Sequence, residues 1–436
     1  MSAEFLKLLG VVLAIGVLLL SCRALPVAAE LRRKSVHISL GLGCLSFPWI
    51  FDSFWPVLVL CLASLGAFFF LRQAKGRWKE LLHGVERPSL GEFYFPISVT
   101  LLFALMRNPV TDYVIPLLVL TLADAMGALI GLRYGRARYS TSDGFKSLEG
   151  SLAFFLTAFL STHVCLLLGS PVGRAESLLI ATVIGALVML VEAVAWRGID
   201  NLLVPLASYA LVHSYLEMSV ADLVYRLALL GGILAFFGVL SRRTYAKDCV
   251  LIASALALYL IWAVAGWTWA MAPLLMAAVY SLLCPTRDRD WQTRHGLDDL
   301  AAVALPGLVW LLVFVRSEES RLLLPFVAAW SAQAAIITAA FLSGNRPNLP
   351  SALVLGLGGL AALLVGTPTL SLLPATTPLI WIPLLFLVGA FAAGLLWFFE
   401  WRRFGTTLAP GRPLRQFGYG LGVSLLGLGV FMIPPS

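Results

Sequence analysis

Long apolar segments separated by short polar loops recur from one end of the chain to the other. Each segment is close to the roughly 20 residues that an α-helix needs to cross a bilayer. The pattern predicts sixteen spans, at residues 4–21, 36–51, 54–71, 92–106, 114–132, 150–168, 178–196, 202–217, 222–240, 248–265, 267–283, 298–315, 322–341, 350–366, 378–399 and 417–433. We therefore expect an all-α fold, a polytopic integral membrane protein of about 16 transmembrane helices.

Composition agrees with this pattern. Hydrophobic residues make up 60% of the chain and charged residues only 12%, and the mean hydropathy is +0.91. One soluble core cannot bury that much apolar surface, so a soluble globular fold is excluded.

Polar residues divide the chain into two parts. Up to about residue 218, charged and amide side chains lie within or next to the apolar segments, whereas after residue 219 charges are confined almost entirely to loops. An ionisable residue inside a membrane segment is costly and usually functional. We therefore expect a catalytic membrane domain at 1–218 and a second multi-span region, of unassigned role, at 219–436.

The basic residues predict an orientation. If the loop 22–35 is cytoplasmic, most of the 31 Lys and Arg residues fall in cytoplasmic loops and both termini lie outside. The polar motifs described below then share the cytoplasmic face. Basic loops beside anionic membrane lipids account for the net charge of +8, and no nucleic-acid partner is needed.

The first polar motif lies where the second apolar segment begins. Arg33 and His37 are four residues apart, so a helix places them on one face together with Glu30, and Lys34 lies next to Arg33. Such cations suit phosphate oxygens. The alternative is a basic signal that only fixes the topology, with His37 reaching toward the interface.

The second motif places a carboxylate in an apolar, glycine-rich helix. Asp124, Gly127 and Gly131 lie on one face, and Gly135 continues the four-residue spacing. Glycines alone would indicate close helix packing. A packing surface has no use for a carboxylate, so Asp124 favours a ligand cavity, where it would bind Mg²⁺ or act as a general base.

The third motif, Lys146-Ser147-Leu148-Glu149-Gly150, precedes the next apolar segment. Lys146 offers a charge for phosphate, Ser147 a hydroxyl, and Glu149 a metal ligand or base. The alternative is that Ser147 and Glu149 only cap the following helix.

The fourth motif combines Glu192, inside a span, with Asp200 and Asn201 after that span ends. Glu192 has an alternative interpretation as a carboxylate that extends toward Arg197.

Together these residues supply cations, carboxylates suited to Mg²⁺, and glycines that allow close approach. These are the requirements of phosphoryl transfer from a nucleotide. The chain has no Gly-x-x-x-x-Gly-Lys-Ser/Thr loop, so the site is not of the Walker type.

The ordered motifs resemble the polyprenol kinase family, which includes phytol kinase and dolichol kinase. The elements are Glu30-x-x-Arg33-Lys34-x-x-His37, Asp124 with its glycines, Lys146-Ser-x-Glu149-Gly150, Glu192, and Asp200-Asn201-x-x-Val204-Pro205. The resemblance implies transfer of a phosphoryl group, typically from CTP and with a divalent metal such as Mg²⁺, to an isoprenoid alcohol such as phytol, geranylgeraniol or dolichol.

The resemblance implies that these motif residues form one nucleotide and metal site, and we infer their individual roles from their chemistry. Catalytic roles are expected for Asp124, Lys146, Glu149 and His37; nucleotide binding for Arg33, Lys34, Gly127, Gly131, Gly135, Ser147, Gly150 and Asn201; and metal binding for Asp124, Glu149, Glu192 and Asp200. The expected partners are the alcohol, the nucleotide and membrane lipids.

Two alternatives stay open at this point. A CTP:phosphatidate cytidylyltransferase shares a similar Asp, Gly and Lys-x-x-Glu-Gly arrangement but releases pyrophosphate. A lipid or proton-coupled transporter would also place carboxylates in the membrane, yet it predicts polar groups in both halves of the chain.

Overall fold

The fold is taken from a computed structural model. It describes residues 3–23, 29–73, 90–244, 246–283, 295–345, 350–370 and 412–431, together with residues 387, 390, 391 and 394. The described chain is mainly helical and forms two compact units, Met1–Gly231 and Gly232–Ser436. The functional division after residue 218 stays a prediction.

The first unit carries the polar motifs. Its elements are α1 (Ala3–Arg23), α2 (Ala29–Cys44), α3 (Phe47–Ile50), α4 (Trp55–Gln73), α5 (Gly91–Leu105), a π-helix (Pro109–Val114), α6 (Ile115–Leu118), a second π-helix (Val119–Ala123), α7 (Asp124–Tyr134), β1 (Arg138–Thr141), β2 (Gly144–Ser147), α8 (Leu148–Gly169), α9 (Arg174–Val194), α10 (Asp200–Tyr215) and the start of α11 (Val220–Ser241).

The second unit is helical throughout its described residues. It contains the end of α11, then α12 (Asp248–Ala265), α13 (Trp267–Leu283), α14 (Leu297–Ser317), a 3₁₀ turn (Ser320–Leu322), α15 (Leu323–Asn345), α16 (Ser351–Leu370) and α17 (Arg412–Phe431). Helix α15 is the central one, since nearly all of its apolar stretch is buried. Its Gln333 exchanges hydrogen bonds with Gln416 of α17, which satisfies two buried amides.

The helical membrane character is confirmed, whereas the number of sixteen spans is not. Among the described residues, nine helical segments are long and apolar enough to cross a membrane, and three shorter apolar helices accompany them. The expected span 36–51 is divided between α2 and α3, because the chain turns at Leu45 and Ser46. Most of the expected span 378–399 lies outside the described residues.

One element departs from the all-α expectation. Strands β1 and β2 pair antiparallel through a two-residue turn, so the segment expected to be a loop is a hairpin. The turn ends at Asp143-Gly144, and Gly144 has φ +128°, which L side chains rarely adopt. An Asp-Gly pair between short apolar runs is a hairpin signal.

The span that leads to Asp124 is not a uniform α-helix. Asn108 caps its start by accepting hydrogen bonds from the backbone of Val110 and Thr111. Two π-helical segments then interrupt the α-helical hydrogen bonding, and the second ends directly before Asp124. Such π-segments frequently mark functional sites.

A buried cluster holds these helices together in the first unit. Leu102 of α5, Tyr113 of the first π-helix, and Leu117 and Leu120 farther along are all at most 1% exposed. The Tyr113 hydroxyl donates to the carbonyl oxygen of Cys44 at 2.9 Å, which ties the end of α2 to the span that leads to Asp124.

Candidate active site

Two side chains of α2 hold the carboxylate of Asp124 at the start of α7. Lys34 Nζ lies 2.7 Å from Asp124 Oδ2, and His37 Nε2 lies 3.5 Å from the same oxygen. Lys34 and His37 are three residues apart, so one face of α2 presents both. Lys34 is only 3% exposed. A cation this buried needs a partner, and α2 and α7 therefore meet at a buried ion pair.

The imidazole of His37 is oriented by its surroundings. Its Nε2 also lies 3.4 Å from the carbonyl oxygen of Leu120, and its ring meets the Phe95 ring edge-on at 5.3 Å. The side chain is 15% exposed. His37 therefore points into the protein, and the alternative that it reaches toward the interface does not describe it.

The hairpin presents Lys146 to α9. Lys146 Nζ lies 2.8 Å from Glu192 Oε1 and also donates to the Glu192 backbone carbonyl. Burial alone would favour the neutral amine, but the Glu192 carboxylate outweighs it and holds the pKa of Lys146 above its ordinary value. Glu192 thus pairs with Lys146, and the alternative that it extends toward Arg197 does not describe it.

The glycines of α7 pack against the beginning of α8. A methyl group at Gly150 would lie 2.7 Å from the Gly127 carbonyl oxygen, and one at Gly131 would lie 3.1 Å from Ser147 Oγ. One at Gly135 would meet the same hydroxyl at 2.7 Å. The close-packing interpretation therefore describes these positions, and their contact with a nucleotide stays a prediction.

Ser147 and Glu149 both stabilise this junction. Ser147 is the N-cap of α8, since its Oγ accepts a hydrogen bond from the Gly150 amide at 3.1 Å. Glu149 Oε1 accepts from the Ala137 amide at 3.1 Å. The capping interpretation holds for Ser147, and Glu149 fixes the entry to the hairpin. The other oxygen, Glu149 Oε2, is buried and has no hydrogen-bond partner among the described residues.

Asp200 begins α10, outside the apolar spans. Burial, and then the nearby carboxylates of Asp124 and Glu192, raise its pKa to about 6 from 3.8. The positive charges of Lys146 and Lys34 act on it in the opposite direction. The charges of both ion pairs, Lys34–Asp124 and Lys146–Glu192, therefore act on Asp200.

The neighbouring Asn201 has a structural contact. Its Nδ2 donates to the carbonyl oxygen of Gly91 at 3.1 Å, which joins the start of α10 to the start of α5. The predicted contact between Asn201 and a nucleotide stays a prediction.

The remaining predicted residue, Arg33, is exposed, and its charge acts on both His37 and Asp124. It thus contributes positive charge to the surroundings of the Lys34–Asp124 pair.

The four carboxylates expected to bind a metal are not gathered at one point. Within the described part of the chain, no three His, Cys, Asp or Glu side chains converge closely enough to hold a metal ion by themselves. Glu149, Glu192 and Asp124 are each bonded to other groups, and the charges of Asp124 and Glu192 both act on Asp200.

Comparison with known proteins decides the family. The chain is 33% identical over 188 residues to phytol kinase from Synechocystis sp. (strain ATCC 27184 / PCC 6803 / Kazusa), an alignment that covers 41% of this chain and 77% of the relative. The chain belongs to the polyprenol kinase family. The resemblance drawn from its motifs is thereby confirmed. No family model and no solved structure matches this polyprenol kinase family member.

Two polar residues near the site of this polyprenol kinase family member were not predicted from its sequence motifs. Tyr139 lies opposite Lys146 in the hairpin, and its hydroxyl is 2.8 Å from Ser151 Oγ. Asp143 Oδ2 accepts from the Arg197 amide at 2.6 Å. The Asp-Gly turn signal would have revealed Asp143, whereas nothing in the sequence pattern distinguishes Tyr139.

Asp143 supports an unusual turn before Asp200. Arg197 has φ +51° and Gly198 φ +84°, so two successive residues adopt the left-handed region. The Arg197 amide is held by Asp143, and its carbonyl oxygen accepts from the Leu90 amide at 2.8 Å. The hairpin turn therefore positions the segment that carries Asp200.

Proposed function

We propose that the protein is an isoprenoid alcohol kinase that transfers the terminal phosphoryl group of CTP to phytol, geranylgeraniol or dolichol. The observation that carries the proposal is the arrangement of two lysine–carboxylate pairs, Lys34–Asp124 and Lys146–Glu192, whose charges both act on Asp200 in a polyprenol kinase family member. Phosphoryl transfer depends mainly on positioning and charge neutralisation, which such a cluster supplies.

The two lysines are the phosphate ligands in this proposal. Lys34 and Lys146 each hold a carboxylate oxygen at a distance typical of a charge-assisted hydrogen bond. A phosphate oxygen is an acceptor of the same charge, so either lysine can exchange its carboxylate partner for phosphate. Lys34 is buried and Lys146 is half-buried, so this attraction is stronger than it would be in water.

Asp124 and Asp200 are the residues that would hold Mg²⁺. Mg²⁺ usually binds one or two carboxylates together with substrate phosphates, and it does not require a cage built only from protein side chains. The raised pKa of Asp200 fits, because burial and then the neighbouring Asp124 carboxylate disfavour its negative charge, and a bound cation would relieve both effects. A metal ion held there would supply positive charge to the phosphates.

In the proposed reaction, the alcohol oxygen bonds to the terminal phosphorus of CTP. The bond from that phosphorus to the bridging oxygen breaks, CDP leaves, and the hydroxyl proton passes to a carboxylate of the cluster. His37 is held in place by Asp124 and by the Leu120 carbonyl oxygen. In this proposal its ring is part of the surface that the hydroxyl group of the alcohol contacts. Because phosphoryl transfer passes through a loose transition state, strong activation of the hydroxyl by a base is not required. The orientation of the alcohol and the terminal phosphate is therefore the main contribution of the site.

A matrix of nucleotides and alcohols tests this proposal. Purified protein is given CTP, ATP, GTP or UTP with phytol, geranylgeraniol or dolichol, and the lipid monophosphate is measured. We expect CTP to be the best donor, and Lys146→Gln to lower kcat about 100-fold or more. Arg174→Gln removes an exposed cation from the start of α9 and is the matched control. Full activity of Lys146→Gln would refute the site assignment.

We also propose that the site faces the cytoplasm. The distribution of Lys and Arg supports this orientation. Sealed vesicles of known orientation test it, because CTP added to the cytoplasmic side should support lipid phosphorylation and CTP added to the opposite side should not. The reverse dependence would contradict the orientation.

A further inference from the structure

A groove of about 390 Å³ runs between α1 and α2 in the first unit. Residues 10–18 of α1 form one wall, residues 39–44 of α2 form the other, and Phe47 and Ile50 of α3 continue it. Its lining is mostly apolar, and small-molecule sites in proteins have volumes of roughly 300–1,000 Å³. The groove is therefore large enough to hold part of a lipid chain.

Glycines keep this groove open. A methyl group at Gly10 or at Gly43 would meet no atom within 4 Å, so both positions border open space. Gly41, only two residues from Gly43, behaves in the opposite way, because a methyl group there would collide with Thr121. Helix α2 thus uses one glycine to pack against the Asp124 span and another to border the groove.

The groove begins beside the candidate active site. Leu40 lines it and lies one helical turn after His37 on α2. Ser39, also in the lining, has its hydroxyl 4.0 Å from the Cys22 sulfur, so this end lies where α1 ends. A chain whose hydroxyl rests near His37 and Asp124 can follow α2 directly into the groove.

A polar cluster lies at the opposite end. Lys7 belongs to the lining and pairs with Glu4 at 2.9 Å and Asp52 at 2.6 Å. Ser53 donates to Glu4 at 3.1 Å. From Lys7 to Leu18 a helix extends about 16 Å at 1.5 Å per residue. An apolar chain longer than this groove meets charged groups at its end.

We propose that this groove binds the hydrocarbon tail of the isoprenoid alcohol, and that the Lys7 cluster limits the length of tail it holds. The inference rests on the proposed function for the identity of the lipid. Three observations favour this ligand. The groove is apolar, it is open at its glycine-lined walls, and it begins one helical turn from the site that would bind the hydroxyl group of the alcohol. Gly10 and Gly43 are then specificity-determining residues.

Chain-length selectivity tests the groove. A Cβ atom at Gly10 or Gly43 would meet no atom within 4 Å, so Gly10→Leu and Gly43→Leu add apolar volume at the groove. We expect each to lower the ratio of kcat/KM for geranylgeraniol to kcat/KM for geraniol about tenfold. The change should appear mainly in KM. Gly16→Leu is the matched control, because Gly16 also borders open space on α1 but does not line the groove. An unchanged ratio in both groove variants would overturn the proposal.

A second readout does not require kinase activity. An isoprenoid alcohol with a photoreactive diazirine at the end of its tail should label peptides from residues 7–18 of the full-length protein, and Gly43→Leu should reduce that labelling while Gly16→Leu should not. Labelling confined to other helices would refute the groove. If the wild-type protein phosphorylates no isoprenoid alcohol but the photoreactive alcohol still labels residues 7–18, the proposed function is wrong and the proposed binding groove is supported.

Discussion

At the scale of single residues, the site consists of charges that are already paired. Lys34 is 3% exposed and is bound to Asp124, and Lys146 is bound to Glu192. Removing one member of a buried pair leaves an uncompensated charge, which costs about 3–5 kcal/mol, whereas replacing both members by apolar residues is often neutral. Stability and activity can therefore be separated by experiment.

Lys34→Met should reduce the free energy of unfolding by about 3 kcal/mol or more, since it leaves the Asp124 carboxylate unpaired. The double variant Lys34→Met/Asp124→Leu should recover most of that stability but none of the kinase activity. Thermal unfolding in detergent and the kinase assay measure the two effects. Asp52→Asn is the control, because its side chain is 83% exposed and exposed ion pairs contribute little to stability. Unchanged stability of Lys34→Met would contradict the pairing.

Asp200 should give stability a dependence on pH. Its pKa is about 6 in the folded protein against 3.8 ordinarily, so between pH 4 and 6 the folded state keeps a proton that the unfolded chain releases. Stability therefore falls as pH rises through this window and stays lower above it.

Asp200→Asn should accordingly raise the free energy of unfolding at pH 7.5 by roughly 1–2 kcal/mol and leave it unchanged at pH 4, while abolishing activity. Thermal unfolding at both pH values, without divalent cations, measures this. An equal effect of the substitution at the two pH values would show that the Asp200 carboxylate is not destabilised by its neighbours.

The sequence reveals residue types here but not their pairing. A carboxylate inside an apolar span stands out in the sequence, because a charge within the membrane is energetically costly. Asp124 and Glu192 were recognised as candidates in this way. Which lysine each contacts depends on how α2 meets α7 and on how the hairpin meets α9. Those contacts join positions 90 and 46 residues apart, which spacing along one helix does not specify.

At the scale of elements, the positions of most first-unit helices followed from apolar length, whereas two features did not. The hairpin had a turn signal in Asp143-Gly144, but its strands are only four residues long. The π-helical segment before Asp124 has no sequence signal, because its residues are as apolar as those of an ordinary span. Within this segment Thr121 packs closely against Gly41 of α2.

Gly41→Ala should reduce kcat/KM about 100-fold, since its methyl group would displace α2 and with it Lys34 and His37 from Asp124. Adding Thr121→Gly to the Gly41→Ala variant should restore part of the activity, because it removes the side chain with which the new methyl group collides. Gly66→Ala on α4 is the control, because that glycine borders open space. Steady-state kinetics on the three variants measure this, and wild-type activity of Gly41→Ala would contradict the helix contact.

At the scale of the whole molecule, the distribution of charged residues along the chain favours chemistry in the first unit, and this division of roles stays a prediction. The second unit buries a glutamine pair and aromatic contacts such as Trp269 with Phe314, at a ring distance of 4.4 Å, which serve its own packing. The expected number of spans could not be checked in full, because it depended on short helices and on segments outside the described residues.

A chain ending after Ser241 should keep kinase activity within a few-fold of the full protein, because it retains all the site residues and the whole of α11. A chain ending after Met218 should be less stable, since it loses the contact of Arg226 with the Tyr215 ring. Kinase assays and thermal unfolding of both truncations measure this. Complete loss of activity in the longer truncation would place the second unit in the catalytic apparatus.

The central claim is that the protein transfers the terminal phosphoryl group of a nucleotide to an isoprenoid alcohol. The most direct measurement follows label from CTP carrying radioactive phosphorus in either the α or the γ position, with geranylgeraniol or phytol and Mg²⁺. We predict that only γ-label enters the lipid, that CDP forms in equal amount, and that Asp124→Asn abolishes both. Entry of α-label into lipid with release of pyrophosphate, or no transfer from any nucleotide, would contradict the account.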